Sequence, residues 1–133
     1  MSIKEQLEIK ALYHTEAMRY MSNAKTTLIE AGKEGKFYKD DKYVKTACGI
    51  AYNGVLKALD GYFVLKGIKT DKRRKSIEYY QSHISKLDHK LNTELGNAYK
   101  ILHLNGHYDG ITSVPVIQTG FQLAYGIIKR IEP

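Results

Sequence analysis

The 133-residue chain has no tryptophan, one cysteine and two prolines. Because it has a single cysteine, Cys48, an intramolecular disulfide is excluded, and the apolar neighbours of Cys48 predict a buried thiol without a reactive role. The prolines, Pro115 and Pro133, stand near the end of the chain, so they interrupt none of the long segments before them. The sequence can therefore form long helices.

The chain also lacks a long apolar run. No stretch approaches the ~20 apolar residues of a membrane-spanning helix, and the start, MSIKEQLEIK, mixes charged and apolar residues, unlike a signal peptide. We therefore expect a cytoplasmic protein without a membrane partner. Hydrophobic residues form 43% and charged residues 26% of the chain. This balance excludes disordered and low-complexity classes and predicts one globular domain over residues 1–133.

Apolar residues recur at three- and four-residue steps, which place a stripe on one side of a helix. Four helices are predicted in this way. They run from Ile3 to Ala31, from Asp41 or Lys42 to Leu65, over ~30 residues to Asn105-Gly106, and from Val114 to Ile131. The stripe of the first helix that should face the core comprises Ile3, Leu7, Ala11, His14, Met18, Met21, Ala24 (or Lys25) and Leu28.

Four such helices joined by short connections predict an all-α fold, an antiparallel up-and-down bundle of four or five helices. Gly32 and Gly35 are expected to form the first turn, and Asp40 or Asp41 to cap the second helix. A coiled-coil rod is the competing architecture. Small residues along the second helix, together with the glycine-containing turns, favour the compact bundle.

Positive charge is concentrated in one segment. The chain carries a net charge of +7, of which residues 69–75 supply +4 through Lys69, Lys72, Arg73, Arg74 and Lys75. If Thr70 or Asp71 caps the third helix, these cations crowd its N-terminus and form an anion site that suits nucleic-acid phosphates. If Ser76 is the cap, the run is a solvated loop, and the absence of interleaved aromatic residues favours this second interpretation.

A second candidate lies in the sequence LHLNGHYDG at residues 102–110. His103 and His107 are four residues apart and Asp109 follows, a spacing that could hold zinc on one helical face. Gly106 is expected to end the helix, which would separate the two imidazoles, so no metal site is predicted. His103 is then expected at the helix end, with His107, Tyr108 and Asp109 in a polar turn.

Catalytic motifs do not occur in the chain. It has no glycine-rich phosphate loop, nucleophile elbow, CxxC or HExxH motif, and no catalytic residue or cofactor is predicted. Asp60, on a mostly apolar helix, is interpreted as a solvated carboxylate beside Lys57. The many tyrosines are interpreted as bundle core whose hydroxyls reach solvent. A small-molecule site would need a cavity of ~300 Å³ or more with convergent polar groups.

One pattern resembles a known group of proteins. It comprises Tyr43-x3-Ala47-x3-Ala51-Tyr52-x2-Val55-x2-Ala58-Leu59, with Leu95-x2-Ala98-Tyr99 and Gly120-Phe121-x2-Ala124. It resembles small HEPN-like helical bundles, and over residues 8–131 the chain is similar to an uncharacterised family of short all-α proteins from Bacteroidetes. The resemblance implies an up-and-down bundle of four or five helices, often paired as a dimer.

The resemblance does not extend to HEPN nuclease activity. Catalytic HEPN proteins are RNases that carry an arginine followed, after four to six residues, by a histidine. Arg19 and Arg130 have no histidine in that range, and Arg74 reaches His83 only after eight residues.

Two main classes of function follow, besides a third in which a tyrosine-lined pocket between helices serves an enzyme or a small-molecule binder. The first is a non-enzymatic interaction protein that associates with itself or with another protein, because the apolar flanks of the second and last helices exceed what one four-helix core needs. The alternative is a HEPN-like nucleic-acid-associated protein that binds RNA or DNA backbone through residues 69–75.

Overall fold

The computed structural model describes residues 1–69 and 76–133, and these form five α-helices and one hairpin. The helices are α1 (Ile3–Glu30), α2 (Asp41–Leu65), α3 (Ile77–Ile84), α4 (His89–Ala98) and α5 (Val114–Lys129). The hairpin pairs β1 (Lys33–Glu34) with β2 (Phe37–Tyr38), antiparallel. A π-helical segment, Tyr99–Tyr108, continues α4. The prediction of an all-α helical bundle is confirmed.

Each α-helix begins at a side chain that satisfies an otherwise unpaired backbone N–H group. The Asp40 carboxylate accepts a hydrogen bond from the Lys42 N–H at 3.0 Å, and the Ser113 hydroxyl accepts one from Val116 at 3.4 Å. The bounds of α1, α2 and α5 agree closely with the prediction because these caps are local. The full set of capping residues is Ser2, Asp40, Ser76, Asp88 and Ser113.

The turn between α1 and α2 contains the short hairpin, which the sequence pattern did not reveal. Gly32 and Gly35 adopt φ values of 67° and 61°, a left-handed conformation that favours glycine. Both strands have only two residues, too few for an alternating pattern to show. Their backbone also bonds to the chain before α5, since the Tyr38 N–H donates to the Thr112 carbonyl at 2.9 Å.

The third predicted helix is interrupted, so the prediction of one continuous helix is wrong. Ser76 caps α3, so that helix does not begin at Asp71. After Ile84 the chain turns, and the Asp88 carboxylate accepts a hydrogen bond from the Leu91 N–H at 3.0 Å to start α4. A capping aspartate competes with a continuing helix. Leu87, predicted to lie in the core, is consequently exposed.

Close approach joins α1 and α2. Tyr13 lies beside Gly61 and Ala17 beside Gly54, so the two helices run antiparallel. A Cβ atom on Gly61 would lie 2.6 Å from the Tyr13 Cβ atom, and one on Gly54 would lie 3.1 Å from the Tyr20 Cβ atom. The small residues of α2 therefore allow the close packing that the sequence indicated.

The π-helical segment and α5 pack on other sides of α2. Small residues of α2 such as Ala58, and residues of its opposite flank such as Val55 and Leu59, are buried. The expectation of self-association depended on an apolar excess of α2 and of the last helix, and the excess of α2 is covered within one chain. None of the described helices is both long and apolar enough to cross a membrane.

The first half of α1 lies outside the core, contrary to the predicted stripe. The buried residues of α1 are Ala17, Met21 and Ala24. Because Tyr13 lies beside Gly61 and the helices are antiparallel, the last residue of α2, Leu65, lies level with Ile9. Residues 1–8 extend beyond that point and are exposed. The periodicity identified the helix correctly but did not reveal where its neighbour ends.

Substitution of Gly61 by alanine tests the close packing. We expect Gly61→Ala to lower the free energy of unfolding by about 1–3 kcal/mol, because its Cβ atom would overlap the main part of the Tyr13 side chain. Gly126→Ala in α5 is the matched control: a Cβ atom there meets nothing within 4 Å, so we expect a gain of about 0.5–1 kcal/mol. Urea denaturation measures both, and equal effects would contradict the close packing.

Candidate functional site

The predicted basic segment lies almost wholly outside the described residues. Lys69 is described and exposed. Lys72, Arg73, Arg74 and Lys75 fall in the range 70–75, which the structure does not describe. Because Ser76 caps α3, the anion site that depended on a cap at Thr70 or Asp71 has lost its premise, and contact of the segment itself with nucleic-acid phosphates stays a prediction from the sequence.

Five aromatic and imidazole rings lie together on α2 and the π-helical segment, and we call them the ring cluster: Tyr52, Tyr99, His103, His107 and Tyr108. His103 is central. Its ring centroid lies 4.9 Å from that of Tyr52, 5.1 Å from that of Tyr99 and 4.9 Å from that of Tyr108. The ring of His107 is stacked on it at 6.1 Å, with 22° between the planes.

The two histidines therefore share a face, whereas the sequence predicted that they would not. Gly106 does not end the helix, because the chain continues in π-helical form to Tyr108. A Cβ atom on Gly106 would overlap the Cys48 sulfur, so glycine is needed here for close approach to α2. Asp109 follows the segment and is exposed. Of the four residues predicted at the helix end or in the polar turn, His103, His107 and Tyr108 are thus helical.

The orientation of His107 is fixed by one hydrogen bond. Its Nδ1 atom lies 2.9 Å from the Lys45 carbonyl oxygen. A carbonyl oxygen only accepts, so Nδ1 carries the proton and donates, and in the neutral ring Nε2 is the acceptor. This arrangement resembles the support that metal-bound histidines receive. However, nowhere in residues 1–69 and 76–133 do three potential metal-ligating side chains cluster, so the ring cluster supports no metal site.

Two further predictions concern residues near this cluster. Cys48 is buried, and burial raises the pKa of its thiol to about 12, which favours the unreactive protonated form at neutral pH.

The interpretation of Asp60 as a solvated carboxylate is wrong. The Tyr80 hydroxyl donates a hydrogen bond to its Oδ1 atom at 2.9 Å, and burial together with the Asp60 charge raises the pKa of Tyr80. A contact between residues 20 positions apart cannot be read from local spacing.

A mostly apolar stripe follows one flank of α1, beside its buried side, and we call it the α1 stripe: Ile3, Leu7, Ala11, His14, Met18, Lys25 and Ile29. Of its side chains, Ile3 is 77% exposed, Leu7 47% and Ile29 69%. The steps of three, four and seven residues keep these positions on one side of the helix. Isolated exposed apolar residues are common, whereas a row of them along one helix is a candidate interaction surface.

The α1 stripe borders a groove between α1, the hairpin and α5, which we call the α1–α5 groove. Its volume is 460 Å³. It is lined by Lys25, Leu28, Ile29, Lys33, Tyr38, Gln118, Phe121, Gln122 and Tyr125. Sequence reasoning missed this groove, because its walls come from segments at least 80 residues apart. The one available signal was Ile29, an apolar residue outside the predicted core stripe.

The groove has an apolar base and a positively charged rim. Leu28, Ile29 and Phe121 supply the apolar surface, and Lys25 and Lys33 supply the charge. Neither lysine pairs with a carboxylate of the described residues. The Lys33 ammonium lies 6.0 Å from the centroid of the Tyr38 ring. The groove can therefore accept an apolar group that carries negative charge.

Comparison with known proteins gives the family. Residues 13–133 match the family described as Domain of unknown function (DUF5618). The chain belongs to the DUF5618 family. A solved structure, described as a protein of unknown function from Dyadobacter fermentans, is similar to this DUF5618 chain at 40% sequence identity. The match covers 98% of this chain and 97% of that one, with a TM-score of 0.80. No similar curated protein was found.

The geometry of the ring cluster predicts the tautomer of His107 in this DUF5618 protein. We expect the neutral ring to carry its proton on Nδ1, because the Lys45 carbonyl accepts it. Long-range ¹H–¹⁵N NMR spectra of the labelled protein distinguish the two ring nitrogens. The exposed His89 at the start of α4 serves as the control for an unrestrained imidazole. A proton on Nε2 of His107 would contradict the hydrogen bond.

Proposed function

We propose that this DUF5618 protein is a self-associating interaction protein whose α1 stripe contacts a second copy of the chain. The observation that carries the proposal is the exposure of Ile3, Leu7, Met18 and Ile29 along one side of a single long helix. Four of the eleven exposed large hydrophobic residues of the described chain lie on this stripe. Self-association through one helix face is therefore favoured over contact through α2 or α5.

Charges beside the stripe favour a second copy of the chain over a partner whose surface carries a strong charge of one sign. Lys4 and Glu8 flank the first half of the stripe, and Arg19 lies near its middle. Arg19 is paired with Glu16 on its own helix. A surface with both signs of charge can complement itself when two copies are related by a two-fold axis.

A charged residue in the stripe should prevent association. We expect Leu7→Lys to convert the protein to a monomer of 15.2 kDa at concentrations where the unmodified chain shows a larger mass, because an ammonium would be buried without a partner. Light scattering coupled to size exclusion gives the mass. Leu12→Lys is the matched control, since Leu12 is 67% exposed but lies on a different side of α1. A monomeric unmodified chain at high micromolar concentration would disprove self-association.

The alternative function, HEPN-like binding of nucleic-acid backbone, is favoured by the net charge of +4 on residues 69–75. We propose that a labelled RNA titrated at low salt would bind through this segment. The double variant Arg73→Gln with Arg74→Gln should weaken binding. It should also reduce the slope of log affinity against log salt concentration by the equivalent of about two phosphate contacts. Lys4→Gln with Lys10→Gln removes the same charge elsewhere. No binding, or equal loss in both double variants, would contradict this alternative.

A further inference from the structure

We infer that the second copy lies antiparallel along the α1 stripe, with the two-fold axis at the level of residue 16, and that its first two α1 turns cover the α1–α5 groove. This inference rests on the proposed self-association and adds the register and the occupant of the groove.

The first observation is the symmetry of the α1 stripe. A two-fold axis on the stripe side of α1, at the level of residue 16, pairs residue n of one copy with residue 32 − n of the other. This register pairs position 3 with 29, position 7 with 25 and position 14 with 18, and these six of the seven stripe positions pair with one another. The seventh, Ala11, lies level with Met21, which is buried in the core. Ile3 thus meets the partner's Ile29, and His14 meets the partner's Met18. The exposed positions of α1 are arranged so that the stripe complements itself in this register.

The second observation is the position of the overhang of α1. Residues 1–8 extend beyond the end of α2 and are exposed. The groove lies beside Lys25, Leu28 and Ile29, at the opposite end of the same helix. In the antiparallel register, the overhang of each copy lies level with the groove of the other. A short amphipathic helix that lays its apolar side into a groove is a common recognition mode.

The third observation is charge complementarity. Lys25 on the groove rim pairs with no carboxylate in the described chain, and Glu8 on the overhang pairs with no cation there. The register places Glu8 of one copy within one residue of the position opposite Lys25 of the other. Leu7 then packs against the aliphatic part of that lysine, whose ammonium can reach Glu8. A parallel arrangement would instead place Lys25 against the partner's Lys25.

A competing register has its two-fold axis between Ala11 and His14. It pairs Leu7 with the partner's Met18 and Ile3 with the partner's Ser22, and it is also antiparallel. However, it leaves Ile29 and the groove uncovered, although Ile29 is among the most exposed apolar residues of the helix. The register with its axis at the level of residue 16 covers both Ile29 and the groove, which is why we prefer it.

Disulfide trapping in the full-length chain distinguishes these arrangements. Ile3→Cys and Ile29→Cys are made as separate variants, mixed and oxidised. A disulfide requires Cα atoms within ~7 Å of each other. In a parallel dimer, position 3 of one copy would lie ~39 Å along the helix from position 29 of the other, at 1.5 Å per residue. A link between the two variants therefore comes only from antiparallel pairing. The native Cys48 does not interfere, because it is buried.

We expect the mixture to give at least about fivefold more linked dimer than either variant alone, as judged on non-reducing gels. Ile3→Cys mixed with Ser22→Cys tests the competing register, and Ile3→Cys mixed with Leu12→Cys is the control for random collision. A dimer by light scattering without the link between positions 3 and 29 would overturn the register while leaving self-association intact. A monomer in that measurement would overturn both.

Discussion

Close backbone contact along α2 is the constraint on which the rest of this structure depends. Gly54 and Gly61 allow α1 to approach so near that an added Cβ atom would overlap it. On the other side, Gly49 lies against His107. Since helices normally pack ~8–10 Å apart at a distance set by the contacting side chains, small residues at these positions draw the neighbours inward. One helix is thereby enclosed by α1, the π-helical segment and α5.

The position of α1 on α2 also creates the surface to which we assign function. Because Tyr13 lies against Gly61, α2 ends near the level of Ile9, and residues 1–8 of α1 extend past it and are exposed. Farther along, α5 covers only one side of α1, which leaves the α1 stripe and the adjoining groove open. The same register that builds the core therefore leaves an apolar helix face uncovered.

The π-helical segment shows a second consequence of close packing. Its wider turn keeps the backbone continuous where Gly106 meets Cys48, and it places His103 and His107 one above the other. π-helical turns occur frequently at functional sites. Here the segment supports a cluster of rings held on α2 by the hydrogen bond from His107 to the Lys45 carbonyl.

The start of α4 is held against the end of α5 by Arg130. Its guanidinium contacts the Asp88 carboxylate at 2.6 Å and the Glu94 carboxylate at 3.3 Å.

The sequence by itself determined the features that depend on neighbouring residues: the helical class, the bounds of α1, α2 and α5, and the burial of Cys48. Caps and three- to four-residue periodicity act within a few residues, so they can be read without the fold. Only the tertiary structure decided which side of α1 is buried, that Tyr80 bonds to Asp60, and that Lys33 and Phe121 line one groove. Those outcomes depend on where distant helices end and meet, and hydrophobic periodicity carries no information about that.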